Sequence, residues 1–394
     1  MEQTLKNIAL SGAQQHLPRL LTLLETLCSI DSGTGNEAGN RQIIELLRPV
    51  LQELGAELEE IHAPGLGTHL VARVLPQGKP AGKLLLVAHL DTVFPCGSAA
   101  EHPFHLEGDW AWGLGAGDCK SGVLISLFGA LILKEADMLP PWELTYIFNC
   151  DEEIGSPSGQ EVFAREAQGA DCALVFEGGR QKNGRIQLVT SRKGVILGDI
   201  RVRGKEAHAG NAYLEGRSAV LELAHQIIRL YSFNDMEKGI YYNVAPISGG
   251  RPNGVVAGDA QGQFCIAGIP TNDDFKAVEG NLSSMSGQTT VEGCTVDVSW
   301  HTLFPAMERT GASARLYRQA AEAVRLLGLE AEELSAPSAT DAAWLASYGV
   351  PTVDALSAQA TELHTVEERV SVSSIQQRTA LCALTITAVT RGAL

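Results

Sequence analysis

At 394 residues, 45% hydrophobic and 19% charged, the chain is long enough for two or three domains and a large core. Its net charge of −16 argues against nucleic acid and anionic membrane surfaces as partners, and leaves an anionic substrate to be held by local cations such as metal ions. Eight cysteines are scattered without a C-x-x-C pair, several in apolar runs (Cys150, Cys172, Cys265), which fits free thiols in a reducing compartment better than a disulfide framework. The N-terminal Met1-Glu2-Gln3-Thr4-Leu5-Lys6 lacks the charged start and apolar stretch of a signal peptide. No apolar run approaches the ~18 residues of a membrane span. The expectation is a cytoplasmic protein.

In chain order, residues 15–28 read as an amphipathic helix with Leu17, Leu20, Leu21, Leu24 and Leu27 on one side. A loop, Ser32-Gly33-Thr34-Gly35-Asn36, precedes a second helix with Ile43, Ile44, Leu47, Val50, Leu51 and Leu54 on its stripe and Gly55 at its end. Strands are expected at 68–75 and 83–89, the second with five consecutive apolar residues, Leu84 to Ala88. A glycine-punctuated loop from Trp112 to Gly117 leads to Asp118 and a mostly apolar helix, Ser121 to Glu135. Strand Leu144 to Cys150, a short helix near 158–167 and strand Ala173 to Phe176 follow. This alternation is the signature of an α/β domain whose mostly parallel sheet carries helices on both faces. After residue 190 the texture changes to strands at 195–202, 263–266 and 291–300 with helices at 217–230 and 274–282. From about 311 the α/β pattern resumes, with helices at 320–327, 341–347 and 374–389 and a strand at 351–355. The expected organisation is a discontinuous α/β domain, 1–190 and 305–394, carrying an inserted α+β domain, 191–304.

Chemistry-bearing residues cluster where strands end, which is where open α/β sheets bind ligands. His89 and Asp91 follow the 83–89 strand. Residues two apart on an extended segment share a side, so the Asp91 carboxylate can reach the back of the His89 ring and fix its tautomer for metal binding. Asp118 stands at a helix entrance, where an ordinary N-cap is an equal explanation. Asp151-Glu152-Glu153 ends another buried strand, and three adjacent carboxylates are costly there unless a cation offsets them. Glu177 has the same placement on the next strand, and His364 lies in a polar loop after the 351–355 strand. An O/N set without thiolate suits zinc, cobalt or manganese in a catalytic rather than a structural site.

The stretches His89-Leu90-Asp91-Thr92-Val93-Phe94-Pro95, Gly113 to Gly122, Asp151-Glu152-Glu153-Ile154-Gly155-Ser156, Phe176-Glu177-Gly178 and Gly204-Lys205-Glu206-Ala207-His208-Ala209-Gly210 resemble, in order and spacing, the aminoacylase/glutamate carboxypeptidase family of dinuclear zinc peptidases. Within it the chain looks most like the carboxypeptidase G type. The resemblance implies a zinc exopeptidase-like fold and two zinc ions per chain. Asp118 would bridge them through a cis Asp118–Cys119 peptide, with His89 and Glu177 completing one site and Glu153 and His364 the other. It further implies Glu152 as general base, Asp91 as the residue orienting His89, and an inserted domain that builds a two-fold homodimer and carries His208 toward the partner's active site as an oxyanion donor.

Several stretches depart from the family pattern. Ser357-Ala358-Gln359-Ala360 replaces a G-P-x-G, Gly249 to Ala257 shifts or loses an Asn and lacks a Pro, and Cys265-Ile266-Ala267 and the loop from Trp300 to Pro305 lack arginines used near a substrate carboxylate. Arg251, Arg309 and Arg192 are the candidates to replace them. The reading is a metal-dependent amide hydrolase, a carboxypeptidase or deacylase acting on a small peptide or N-acyl amino acid. Two rivals stand beside it: a non-catalytic metal-binding or regulatory homologue, against which Glu152 argues, and a phosphoesterase using Lys120, Arg192 and Lys193.

Overall fold

The apolar run Leu84–Ala88 is the middle of a strand, Lys83–His89, in which all five residues are sealed from solvent. The computed structural model describes residues 2–391. Full burial means that both faces of this strand are covered, as in the centre of a parallel sheet. Its neighbours bear this out. Glu143–Asn149 pairs with it in parallel on one side, and Cys172–Val175 in parallel on the other. The six-stranded sheet runs Glu57–Ala63, Gly67–Val74, Glu143–Asn149, Lys83–His89, Cys172–Val175, Thr352–Val353. The last four strands are parallel, and the first two form an antiparallel hairpin at one edge.

Register decides where the chemistry falls. Because His89 pairs with Asn149 and Val87 with Val175, the strands end nearly level. His89, Asp151-Glu152-Glu153 and Glu177 therefore leave the sheet at one edge.

The helix Ser121–Glu135 packs against Glu2–Cys28 and Val372–Arg391. With the turn before it, Ala116–Glu135 is 20 residues long with a mean hydropathy of 1.5, long and apolar enough to cross a membrane. This corrects the expectation that no run approaches that length. Protein buries 94% of the apolar window, and a helix that is apolar all round is what the centre of a core requires. The N-terminal helix starts at Glu2, well before residue 15, because Leu5, Ala9, Ala13 and His16 extend its buried stripe. The strands Glu57–Ala63, Tyr241–Gly249 and Glu330–Ala336 add to the sequence reading. All eight cysteines are free.

The chain divides into two units. One takes in residues up to Ser191, Arg309–Ser335 and Thr340 onward, and contains the six-stranded sheet. The other is Arg192–Glu308 with Ala336–Ala339. It is built on an antiparallel sheet ordered Tyr241–Gly249, Asp259–Ile269, Gly194–Arg203, Thr295–Phe304. Helices Ala219–Tyr231 and Asn272–Ser283 share its core. Residues 336–339 join this unit because Ala336 O accepts the Lys193 N–H and Ser338 accepts the Arg192 guanidinium.

Gly122 shows how tightly the central helix is seated. A Cβ there would lie 2.0 Å from the carbonyl oxygen of Phe176, the residue before Glu177. Gly122→Ala is therefore expected to cost at least about 1–3 kcal/mol in denaturant titration, because backbone cannot give way as a side chain does. Gly280→Ala, with open space around it inside a helix, is expected to add about 0.5–1 kcal/mol. Equal stabilities for the two variants would contradict this packing.

Candidate metal centre and active site

Two histidines approach one aspartate from opposite sides. His89 Nε2 lies 3.0 Å from Asp118 Oδ1 and 3.7 Å from Glu177 Oε1. His364 Nε2 lies 3.2 Å from Asp118 Oδ2 and 3.4 Å from Glu153 Oε2. Asp118 thus turns one oxygen to each of two three-residue donor sets. Tetrahedral zinc with bonds of about 2.0–2.1 Å needs donors about 3.3 Å apart, close to these spacings. The donor sets therefore fit two small divalent cations. Glu177 Oε1 is buried and has no hydrogen-bond partner, the state of an acceptor that a cation would satisfy. The Asp118–Cys119 peptide is cis.

His89 is fixed from behind, though not as the spacing argument had it. Its Nδ1 is 3.0 Å from the backbone carbonyl of Asp91, nearer than the Asp91 carboxylate at 3.4 Å. A carbonyl oxygen can only accept, so Nδ1 carries the proton and Nε2 is free to ligate. The carboxylate is committed elsewhere. Its oxygens accept the N–H groups of Glu152 (3.1 Å) and Glu153 (3.2 Å) and the Thr34 hydroxyl (2.6 Å). Asp91 therefore positions the Glu152-Glu153 turn as well as the ring. Glu152 is buried, and among the described residues no hydrogen bond engages its carboxylate. His364 sits at φ 64° beside Glu362 at φ 57°, left-handed positions that non-glycine residues adopt only when the surroundings hold them.

Glu368 carries no signal of its own in the sequence. Buried, it accepts the N–H groups of Gly117 (2.8 Å) and Asp118 (3.0 Å) on one oxygen and of Gly115 (3.1 Å) on the other. It holds the loop that presents Asp118. The available clue is the loop itself, whose glycine-rich run of amides needs an acceptor. Asp341 was missed as well. It accepts from Asn149 Nδ2 at 2.8 Å and from the Ser156 hydroxyl, behind the turn of Glu152 and Glu153.

His208 belongs to the other unit and is exposed. Its Nδ1 accepts the N–H groups of Gly210 and Asn211, both at 3.1 Å, so a neutral ring carries its proton on Nε2. The cations considered for the substrate are engaged. Arg309 grips Glu333 through two nitrogens, Arg251 pairs with Glu206, and the Arg192 guanidinium binds Ser338. Lys120, a candidate for neutralising phosphate, is buried and donates to the carbonyls of Ile30 and Leu114.

Burial is the main reason the acidic side chains here resist ionisation. It pushes Glu153 up to about 8 and Glu177 up to about 7, and raises Glu152 well above the carboxylate range with help from Glu177, Asp341 and Glu153. Burial also raises Asp118, but hydrogen bonds from His364 and His89 outweigh it and hold that carboxyl low. His364 rises to about 9, chiefly through its bond to Asp118. For His89 burial opposes charge, yet Cys119, Glu177 and Asp118 leave it well above the ordinary imidazole value.

Residues 85–388 match Peptidase family M20/M25/M40, and the chain belongs to that family, a class of hydrolases of the metallopeptidase kind. It is 29% identical to carboxypeptidase G2 of Pseudomonas sp. (strain RS-16) over 385 residues, 96% of this chain and 91% of that protein. It is 28% identical to acetylornithine deacetylase of Klebsiella pneumoniae (strain 342) over 287 residues, 70% of this chain and 72% of that enzyme. Its fold superposes on a dinuclear metal binding peptidase from Bacillus subtilis with a TM-score of 0.70 at 15% identity, covering 96% of this chain and 99% of the other.

The titrations set a pH dependence for the metal-stripped protein. Glu153 and Glu177 hold protons in the folded chain that an unfolded chain sheds above about 4.5, so their ionisation removes stability as pH climbs to about 7–8. The stability from His364 is complete below 6.5 and is lost as pH rises through about 9. Both act in one direction. The Tm of chelator-stripped protein is expected to fall steadily from pH 5 to 9, and added zinc to raise it more at pH 8 than at pH 5. A flat profile in scanning calorimetry would contradict it.

Proposed function

We propose that this protein hydrolyses the amide bond of a small peptide or N-acyl amino acid at a two-zinc centre. His89, Asp118 and Glu177 hold one ion, and His364, Asp118 and Glu153 the other, with cobalt or manganese as workable substitutes. The observation that carries the reading is the Asp118 carboxylate divided between the two histidines, with the buried Glu152 carboxylate beside them. Bound there, divalent cations polarise the scissile carbonyl and acidify water. Glu152 takes the proton from the attacking water and passes it to the departing amine. Its raised proton affinity suits both halves of that task. Asp91 keeps Glu152 and Glu153 in place, and Glu368 does the same for Asp118. The carboxypeptidase and deacetylase relatives support the substrate class.

We further infer that the unit of residues 192–308 pairs with a second copy. Tyr241–Gly249 is an edge strand with Tyr241 and Ile247 exposed, and helix Ala219–Tyr231 exposes Val220, Leu221, Ile228 and Tyr231. An open strand edge together with an apolar helix face is the sort of surface that a second chain covers. His208 then offers its Nε2–H to the tetrahedral oxyanion in the partner's active site.

Glu152→Gln is expected to keep the metal content of the wild type and lose at least about 100-fold in kcat, since an amide accepts no proton from water. Loss of metal by elemental analysis would put Glu152 among the ligands instead. Mixing inactive His208→Ala chains with inactive Glu152→Gln chains is expected to restore activity, because the mixed dimer has one site with native Glu152 served by a native His208. No recovery after exchange, confirmed by native mass spectrometry, would exclude action across the dimer.

A further inference from the structure

Arg378, on the C-terminal helix Val372–Arg391, is among the largest side chains fully sealed from solvent. Among the described residues no carboxylate pairs with it. Its Nη2 donates to the Arg180 carbonyl at 3.0 Å and its Nη1 to the Ala355 carbonyl at the longer 3.4 Å, while Nε has no partner. Burial lowers its pKa to about 10, and no acid raises it again. A guanidinium that stays charged in the core without a counter-ion is a burden on stability. The two carbonyls it holds show what it does instead.

Those carbonyls bracket a short ladder that carries Glu177. Beyond the parallel pair Cys172–Val175 and Thr352–Val353, the two chain segments stay bonded side by side. The Leu356 N–H meets the Val175 carbonyl at 3.2 Å, the Ser357 N–H meets that of Glu177 at 3.2 Å, and the Gly179 N–H meets that of Ala358 at 2.9 Å. Ala355 precedes this run on one segment, and Arg180 follows it on the other. Ala355 stands at φ 65°, a left-handed position that a non-glycine residue keeps only when its surroundings hold it. One turn before Arg378 on the same helix, buried Ser374 accepts the Gln359 N–H at 2.8 Å. The helix thus grips residues 355–359 at both ends. We propose that Arg378 is a positioning residue for the metal centre: its planar fork joins the Ala355 and Arg180 carbonyls and so fixes the main chain from which Glu177 reaches its cation. A lysine ammonium, a point donor on a flexible stem, cannot reproduce that fork.

This role for Arg378 rests on the two-cation reading above and can fail separately from it. Zinc binding to chelator-stripped protein, followed by competition with a chromophoric chelator, gives a dissociation constant for each ion. Fewer than two ions on the wild type would remove the metal reading, and this role with it. Glu177→Gln marks the binding step that belongs to Glu177, as the step it weakens more. Arg378→Lys is expected to weaken that same step about tenfold and leave the other within about twofold, a size typical of outer residues that orient a metal ligand. Unchanged constants in Arg378→Lys, with only a lower Tm, overturn the proposal, because they describe a residue that serves the core alone. So does equal weakening of both steps, which describes a general loosening. If Arg378→Lys fails to fold by circular dichroism, Ser374→Ala decides in its place. It frees the Gln359 end of the same stretch and should weaken the Glu177 step more than the other, and no change there overturns the proposal.

Discussion

Charge crowding out of reach of water governs this structure. Asp118, Glu152, Glu153 and Glu177 converge on two imidazoles, and three of these four carboxyls are pushed by burial toward their neutral forms. Four carboxylates ionised together carry −4, and two divalent ions carry +4. That match, more than any single contact, makes the arrangement intelligible as a metal centre. An apolar fold has no reason to gather acids in this way, since each one costs stability unless its charge is met.

The sheet collects these groups and backbone amides aim them. Parallel register brings three strand ends level, so residues distant in sequence share one rim. Two buried carboxyl groups then organise the loops beyond the rim. Asp91 gathers the amides of Glu152 and Glu153, and Glu368 gathers those of Gly115, Gly117 and Asp118. Each is a buried side chain that gathers main-chain N–H groups. The direction of the ligating side chains is thereby set by main chain, which is stiffer than a chain of side-chain contacts.

Much of this was legible in the residues because central strands and strand-end acids leave strong local marks. Leu84 to Ala88 read as a doubly covered strand, and the helix Ser121–Glu135 was placed with its ends as observed. Some of the strands that were missed lie at sheet edges in exposed positions, although Arg185–Arg192 is central in its sheet and mostly buried. Glu57–Ala63 is rich in glutamate and half exposed, and Tyr241–Gly249 is interrupted by Pro246 and mostly exposed, so neither shows the apolar run that marks a buried strand. Glu368 and Asp341 were invisible for another reason. Their partners are amides and hydroxyls about 250 and 190 residues away along the chain, which no local pattern encodes. The tie from His89 to the carbonyl of Asp91, rather than to its carboxylate, is a matter of backbone path at the strand end and not of residue type.

The disposition of positive charge bears on the choice of reaction. A phosphoester presents two or more negative oxygens and demands cations beyond the metals, the work that free Arg and Lys side chains do elsewhere. Here Lys120 is enclosed and bonded to two carbonyls, and Arg192, Arg251 and Arg309 are each engaged with groups of their own unit. A neutral amide makes no such demand. It needs a base for water, an acid for the amine, and a donor for the oxygen that becomes negative only in passing. Glu152, with its raised proton affinity, is the group proposed for the first two needs. The proposed amide hydrolysis is thus the reading that asks nothing of these engaged cations.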